Sequence, residues 1–191
     1  MELKEIKQIF NIPFTESMIQ GAREKAKALG SINNSILRGA GNTAGYLGEE
    51  AVSAYIGAEI ISCSEGNAKY NHDLYLDGKK IEIKTKRRTV VPKDFYDVSV
   101  AETSKHQRPD LYIFLSLEFD RVEGKGRNKV YYGLENIWVC GQMEADRYFD
   151  KATLWEAGRV DTSNNFKTHV NMYNLSIKFL DFLKFLPDSG R

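Results

Sequence analysis

The sequence predicts a single α/β domain, and three observations carry that expectation. Helical periodicity appears early, at Met18, Ile19, Ala22, Ala26 and Leu29, and again from Asn42 or Thr43 to Ile56. An Asp77-Gly78 pair stands between alternating apolar residues at Leu74, Leu76, Ile81 and Ile83, the strongest short-range signal for a β-hairpin. Leu111 to Phe119 is an aliphatic and aromatic run with the character of a central strand. A chain of 191 residues has enough length for one proper core, and no internal repeat, long linker or low-complexity tract divides it. The expected organisation is one domain over 1–191, with a helical extension over 1–42 and an α/β core over 43–186.

Residues 1–14 read as a short leader in which Ile6, Ile9 and Phe10 dock as a helical turn. A helix follows Thr15 and stops near Gly30, with Arg23, Lys25 and Lys27 mostly off its apolar stripe. Ser31 to Leu37 reads as a second short helix. The glycine-rich run from Arg38 to Gly45 has neither the Gly-Lys-Ser/Thr ending of a P-loop nor a strand ahead of it, so no nucleotide cofactor is expected. Arg38 is the residue there suited to phosphate contact. The next helix, stopped by Gly57, carries adjacent acids at Glu49 and Glu50. Glu49 borders one apolar arc (Val52, Tyr55, Ile56) and Glu50 another (Leu47, Ala51, Ala54), and periodicity does not choose between them.

Glu59 to Cys63 reads as a strand before the hairpin, and Phe95 to Ala101 as one after it. Glu102 to Arg108 is a short helix or loop. Lys129 to Leu134 and Ile137 to Cys140 supply further strand after a turn at Gly124-Lys125-Gly126, and Gln142 to Gly158 reads as helix and loop. Residues 159–171 are poorly patterned. Leu175, Phe179, Phe182, Leu183 and Leu186 read as a final amphipathic helix or strand-helix unit closed by Pro187.

The hairpin is where chemistry concentrates. With Asp77-Gly78 as the whole loop, Leu74, Leu76, Ile81 and Ile83 share a buried face, while Asn71, Asp73, Tyr75, Lys80, Glu82 and Lys84 share the other. Counting outwards pairs Asp73 with Glu82. Directly opposed Cβ atoms lie roughly 5 Å apart, and like charges there are destabilising. A hard divalent cation, typically Mg²⁺ with waters retained, would resolve that conflict. Lys84, on the same face, is placed to hold one of those waters, which is the equipment of metal-assisted phosphodiester hydrolysis. A Glu-x-Lys on a strand is by itself more often a solvated face with a cross-strand ion pair; the upstream Asp in register is what raises its significance.

Formal net charge is only +1, so no global field points to nucleic acid. Locally, Lys79, Lys80, Lys84, Lys86, Arg87, Arg88 and Lys93 face a single acid, Glu82, which makes a cationic rim of the kind a polyanion needs. Cys63 and Cys140 have no zinc spacing and form no disulfide framework. No basic n-region precedes an apolar core at the start, and the longest apolar stretch is too short to span a bilayer, so a cytoplasmic protein without membrane attachment is expected.

A helix acid after Gly48, then Asp73, then Glu82-Ile83-Lys84 on the next strand resembles the PD-(D/E)xK nuclease superfamily. Gly45-Tyr46-Leu47-Gly48-Glu49 and Ile81-Glu82-Ile83-Lys84-Thr85 look most like its small phage and prokaryotic members, and archaeal Holliday-junction resolvases share the order of acids. The motif-bearing match spans roughly residues 38–88, with His72 standing where the superfamily's name has Pro. The resemblance implies a restriction-endonuclease-like mixed β-sheet core flanked by helices. It implies a Mg²⁺-dependent DNA endonuclease, with Mn²⁺ able to substitute, from a mobile-element, repair or recombination context. Asp73 and Glu82 would ligate the metal together with the backbone carbonyl of Ile83. Glu49, or Glu50 in its stead, would reach it from the helix, and Lys84 would polarise the attacking water. Lys86, Arg87 and Arg88, with Arg38, would contact DNA. Enzymes of this fold commonly act as dimers because two strands need two sites, though no sequence feature marks an interface. The competing expectations are a binding module that kept the fold without activity, and an unrelated α/β protein with a charged hairpin.

Overall fold

The computed structural model describes residues 8–29, 42–61, 72–125, 129–162 and 166–184. Arg38, the short helix expected over 31–37, most of the glycine-rich run, Cys63, Asn71, Leu186 and Pro187 lie outside these residues. The protein is a mixed α/β structure built on a mixed sheet of six strands.

The chain enters through β1 (Phe10–Ile12), continues into α1 (Glu16–Leu29) and α2 (Asn42–Ile56), and then forms β2 (Glu59–Ile60), β3 (Leu74–Leu76) and β4 (Lys79–Arg88). Strand β5 (Asp97–Ala101) and a 3₁₀ turn (Glu102–Gln107) lead to the two long strands β6 (Leu111–Glu123) and β7 (Val130–Glu144). Helix α3 (Ala145–Lys151) and four short strands, β8 (Thr153–Trp155), β9 (Val160–Asp161), β10 (Phe166–Lys167) and β11 (Met172–Ser176), complete the fold. The main sheet runs β1-β7-β6-β4-β3-β2, and its β4–β6 pair is parallel amid antiparallel neighbours. A second sheet, β5-β11-β8, forms a further layer.

Local chemistry accounts for the early elements. The Thr15 hydroxyl accepts the Met18 N–H at 3.3 Å and so caps α1. Asp77 (φ 49°) and Gly78 (φ 78°) both occupy the left-handed region, as a two-residue hairpin turn demands. Leu74, Ile81 and Ile83 are buried as the alternation predicts.

Each face of the main sheet carries its own apolar cluster. On one face Ile81, Ile83, Leu111, Ile113, Leu115 and Leu117 pack with Leu47, Ala51, Val52 and Ile56 of α2 and with Ala22 of α1. On the other, Tyr112, Phe114, Cys140 and Met143 pack beneath Val98, Val100, Leu175 and Tyr148.

Several expectations are corrected. Residues 10–12 are not a helical turn but an edge strand paired with β7, so the segment before α2 contributes to the main sheet. Strand β7 continues through Gln142 to Glu144 before α3 begins. The C-terminal periodicity does not yield an α-helix among the described residues: β11 pairs with β5 and β8, and only a 3₁₀ turn, Ile177–Phe179, follows. Phe179 and Phe182 are left exposed, whereas Leu183 joins the first cluster. No helix among the described residues is long and apolar enough to cross a membrane.

Candidate functional site

The site lies where the β3–β4 hairpin leaves its regular ladder. Pairing holds for Leu76 with Lys79, Tyr75 with Lys80 and Leu74 with Ile81, and there it stops. The Asp73 N–H donates to the Ile81 carbonyl at 3.0 Å, so the chain does not step on to Glu82. Instead the Asp73 carboxylate accepts the Ile83 N–H at 2.7 Å. This corrects the expected direct opposition of Asp73 and Glu82. A side-chain oxygen substitutes for the ladder's next backbone partner, which satisfies an otherwise orphaned N–H and fixes the carboxylate beside residues 82–84.

Glu82 is buried, and the Lys84 ammonium donates to its Oε1 at 2.7 Å. Beneath them lies Tyr112, the residue paired with Glu82 across the parallel β4–β6 ladder; its ring centroid is 6.0 Å from the Lys84 Nζ. The Tyr112 hydroxyl is buried with no hydrogen-bond partner among the described groups, and burial together with the Glu82 charge pushes its pKa upward.

Helix α2 reaches the same place because of Gly48. A Cβ there would collide with the Thr85 hydroxyl, stand 3.0 Å from Leu115 Cδ1 and 3.5 Å from Ile83 Cγ2. Only glycine lets the helix backbone lie this close to β4, and the closeness carries the next residue, Glu49, to the hairpin acids. Gly48→Ala should therefore lower stability by about 1–3 kcal/mol in urea or thermal unfolding. A stability equal to that of the parent protein would show that the helix does not need this approach.

The two helix acids, left equivalent by periodicity, have different surroundings. Glu50 is ion-paired with Lys25 of α1. Glu49 is pushed up to about 7, first by burial and then by the Glu82 charge, with Lys25 and Lys84 pulling the other way. Asp73 is held well above the usual carboxylate range by burial and by the charges of Glu82 and Glu49, against the opposing Ile83 N–H and Lys84. Three acids thus crowd one another around one ammonium. Among the described residues, however, no three His, Cys, Asp or Glu side chains stand close enough to hold one metal ion by themselves.

The basic run beyond Lys84 turns largely inward. The Lys86 ammonium and the Arg88 guanidinium both donate to the Asp97 carbonyl, at 2.8 and 2.9 Å, tying β4 to β5. Burial, with Arg88 beside it, lowers Lys86 to about 8. Arg87 lies half-buried with its guanidinium 4.6 Å from the Tyr131 ring centroid. The expected cationic rim is therefore smaller than its composition suggests, and on the hairpin itself its exposed members are Lys79 and Lys80.

Tyr112 carries no sequence signal, and Gly48 enters the sequence reading only as the residue before the helix acid, not as a packing contact. Tyr112 becomes visible only when the β4–β6 register is known, and Gly48 only when α2 is laid on the sheet. A scan against protein-family models finds no match to this chain, and a search of curated proteins finds no similar sequence.

Proposed function

We propose that this protein is a Mg²⁺-dependent phosphodiester hydrolase, a DNA endonuclease of the PD-(D/E)xK type on a restriction-endonuclease-like core. The observation that carries this reading is the gathering of Asp73, Glu82 and Glu49 around Lys84, with the Asp73 and Glu49 carboxyls raised first by burial and then by the charges of their neighbours. Clusters of like-charged, partly desolvated groups of this kind are costly for folding and are characteristic of functional sites.

The donor set fits a hard cation. Asp73, Glu82 and the Ile83 carbonyl would hold Mg²⁺, with water completing its sphere and Glu49 acting through one such water; Mg²⁺ keeps several waters by habit, so a third direct carboxylate is not required. When bound, the ion supplies charge for the scissile phosphate and acidifies bound water. The chain's own groups do the rest. The Ile83 N–H orients the Asp73 carboxylate. Glu82 holds the Lys84 ammonium at the site's floor. That ammonium donates to the attacking water and then stabilises the negative charge that gathers on the phosphorane oxygens. As the new P–O bond forms to water, which releases a proton to solvent, the bond to the leaving sugar oxygen breaks and that oxygen takes up a proton, giving a phosphate end and a free hydroxyl.

Supercoiled plasmid incubated with the protein and Mg²⁺ or Mn²⁺ tests the proposal. Nicking with metal and none with EDTA is expected. Retarded migration without cleavage would replace the hydrolase by a binding module, and neither effect would leave the acids without a function in DNA chemistry.

A further inference from the structure

Beside the carboxylates the same face of the hairpin exposes an aromatic ring. Tyr75 on β3 is 41 % exposed. Its cross-strand partner is Lys80, and alternation puts both on the face that carries Glu82 and Lys84. Lys80 is exposed, and its ammonium enters no ion pair among the described residues. The His72 ring lies with its centroid 6.4 Å from that of Tyr75, which flanks the ring on one side. Lys80 and Glu82 are about 7 Å apart along the strand, so a group resting on Tyr75 is a near neighbour of the acids.

We propose that Tyr75 is a stacking platform for an unpaired nucleic-acid base, with Lys80 taking the adjoining phosphate. The favoured substrate is then a single strand, or a duplex with an unpaired segment, next to the bond to be cut. This rests on the phosphodiesterase reading above and narrows it.

A continuous duplex hides the faces of its bases, whereas an unpaired base offers a π-face to any exposed ring. The local charge favours stacking over simple attraction. Lys79 and Lys80 stand near exposed acids, Asp77 in the turn and Glu59, which pairs with Tyr75 from β2. Counterion release at such a mixed patch is small, so affinity must come chiefly from the ring.

Fluorescence anisotropy in EDTA with a labelled oligothymidylate, the matching blunt duplex and the same duplex bearing a 3′ overhang tests the platform without cleavage. The single strand and the overhang should bind about 10-fold more tightly than the blunt duplex. Tyr75→Ala should weaken the first two about 10-fold and leave the third unchanged, whereas Tyr75→Phe and Tyr75→Trp should keep the preference. Because Tyr75 is exposed, unchanged melting of Tyr75→Ala serves as the folding control. Equal affinities for single strand and blunt duplex, no loss in Tyr75→Ala, or no measurable binding of any probe would overturn the proposal. Plasmid nicking that persists in such a case would leave the hydrolase standing without its platform. Single-strand binding without any nicking would do the reverse.

Discussion

Asp73→Asn is expected to abolish metal-dependent nicking, by 100- to 1,000-fold or more, while the protein melts at the same temperature or higher at pH 8. The two effects have one cause. Asp73 sits among Glu82 and Glu49, and its ionised form is the disfavoured one. Asparagine keeps an oxygen to accept the Ile83 N–H and removes the charge that the neighbours oppose. A residue present for the fold would lose stability on replacement; one present for chemistry loses activity and relieves strain.

Lys84→Ala should also end cleavage, but it gives a less discriminating result. It leaves the buried Glu82 without its 2.7 Å partner, and breaking a buried pair costs up to about 3–5 kcal/mol. Asp73→Asn is therefore the variant to read first. Nicking at the parental rate by purified Asp73→Asn would remove the carboxylates from the mechanism, whatever Lys84→Ala did.

The parts of this site differ in how plainly the sequence announced them. The turn at Asp77-Gly78 and the buried face of Leu74, Ile81 and Ile83 follow from local rules, because a two-residue turn sets register and a strand's period sorts its side chains. The break at Asp73 does not follow from them. It arises when a carboxylate takes an N–H that the ladder would otherwise use, a competition between side chain and backbone that no period reveals.

The basic residues beyond Lys84 misled for a related reason. Alternation sets Lys86 and Arg88 on the face of Glu82, which reads as polar and hence solvated, yet β5 covers that face and its Asp97 carbonyl receives both cations. Strands such as β1 and β8, three residues each, are too short to carry a pattern and exist because β7 and β11 offer them edges. At the C-terminal end, where the spacing allowed a helix or a strand-helix unit, Leu175 lies in the strand Met172–Ser176 paired with β5, and the residues just after it form only a 3₁₀ turn.

The crowding of acids should also make stability depend on pH and, if the proposed ion binds, on metal as well. The Glu49 carboxyl has a folded-state pKa of about 7 against 4.5 for the ordinary group, and Asp73 moves in the same direction. Glu49 and Asp73 thus bind protons more tightly in the folded protein than in the unfolded chain, for Glu49 between about pH 4.5 and 7, while the lowered His72 imidazole acts in the opposite sense. Stability of the metal-free protein should fall as pH rises through that window, by on the order of 2 kcal/mol from Glu49 after allowance for solvent contact. A divalent cation held as proposed should reverse the trend, since it would bind the ionised carboxylates and compete with the same protons. With Mg²⁺ at about 100 times its dissociation constant, linkage supplies roughly 2.7 kcal/mol, or a rise in Tm of about 5–10 °C at pH 8 for a chain of this size. At pH 5 the rise should be much smaller, and in Glu82→Gln or Asp73→Asn it should vanish at both. Differential scanning fluorimetry with EDTA, Mg²⁺ and Mn²⁺ from pH 5 to 8 measures all of this on one plate. A metal-free Tm that does not fall between pH 5 and 7 would contradict the electrostatic crowding itself. A Tm that falls as expected but ignores both cations would mean that the acids repel one another for some purpose other than holding a metal.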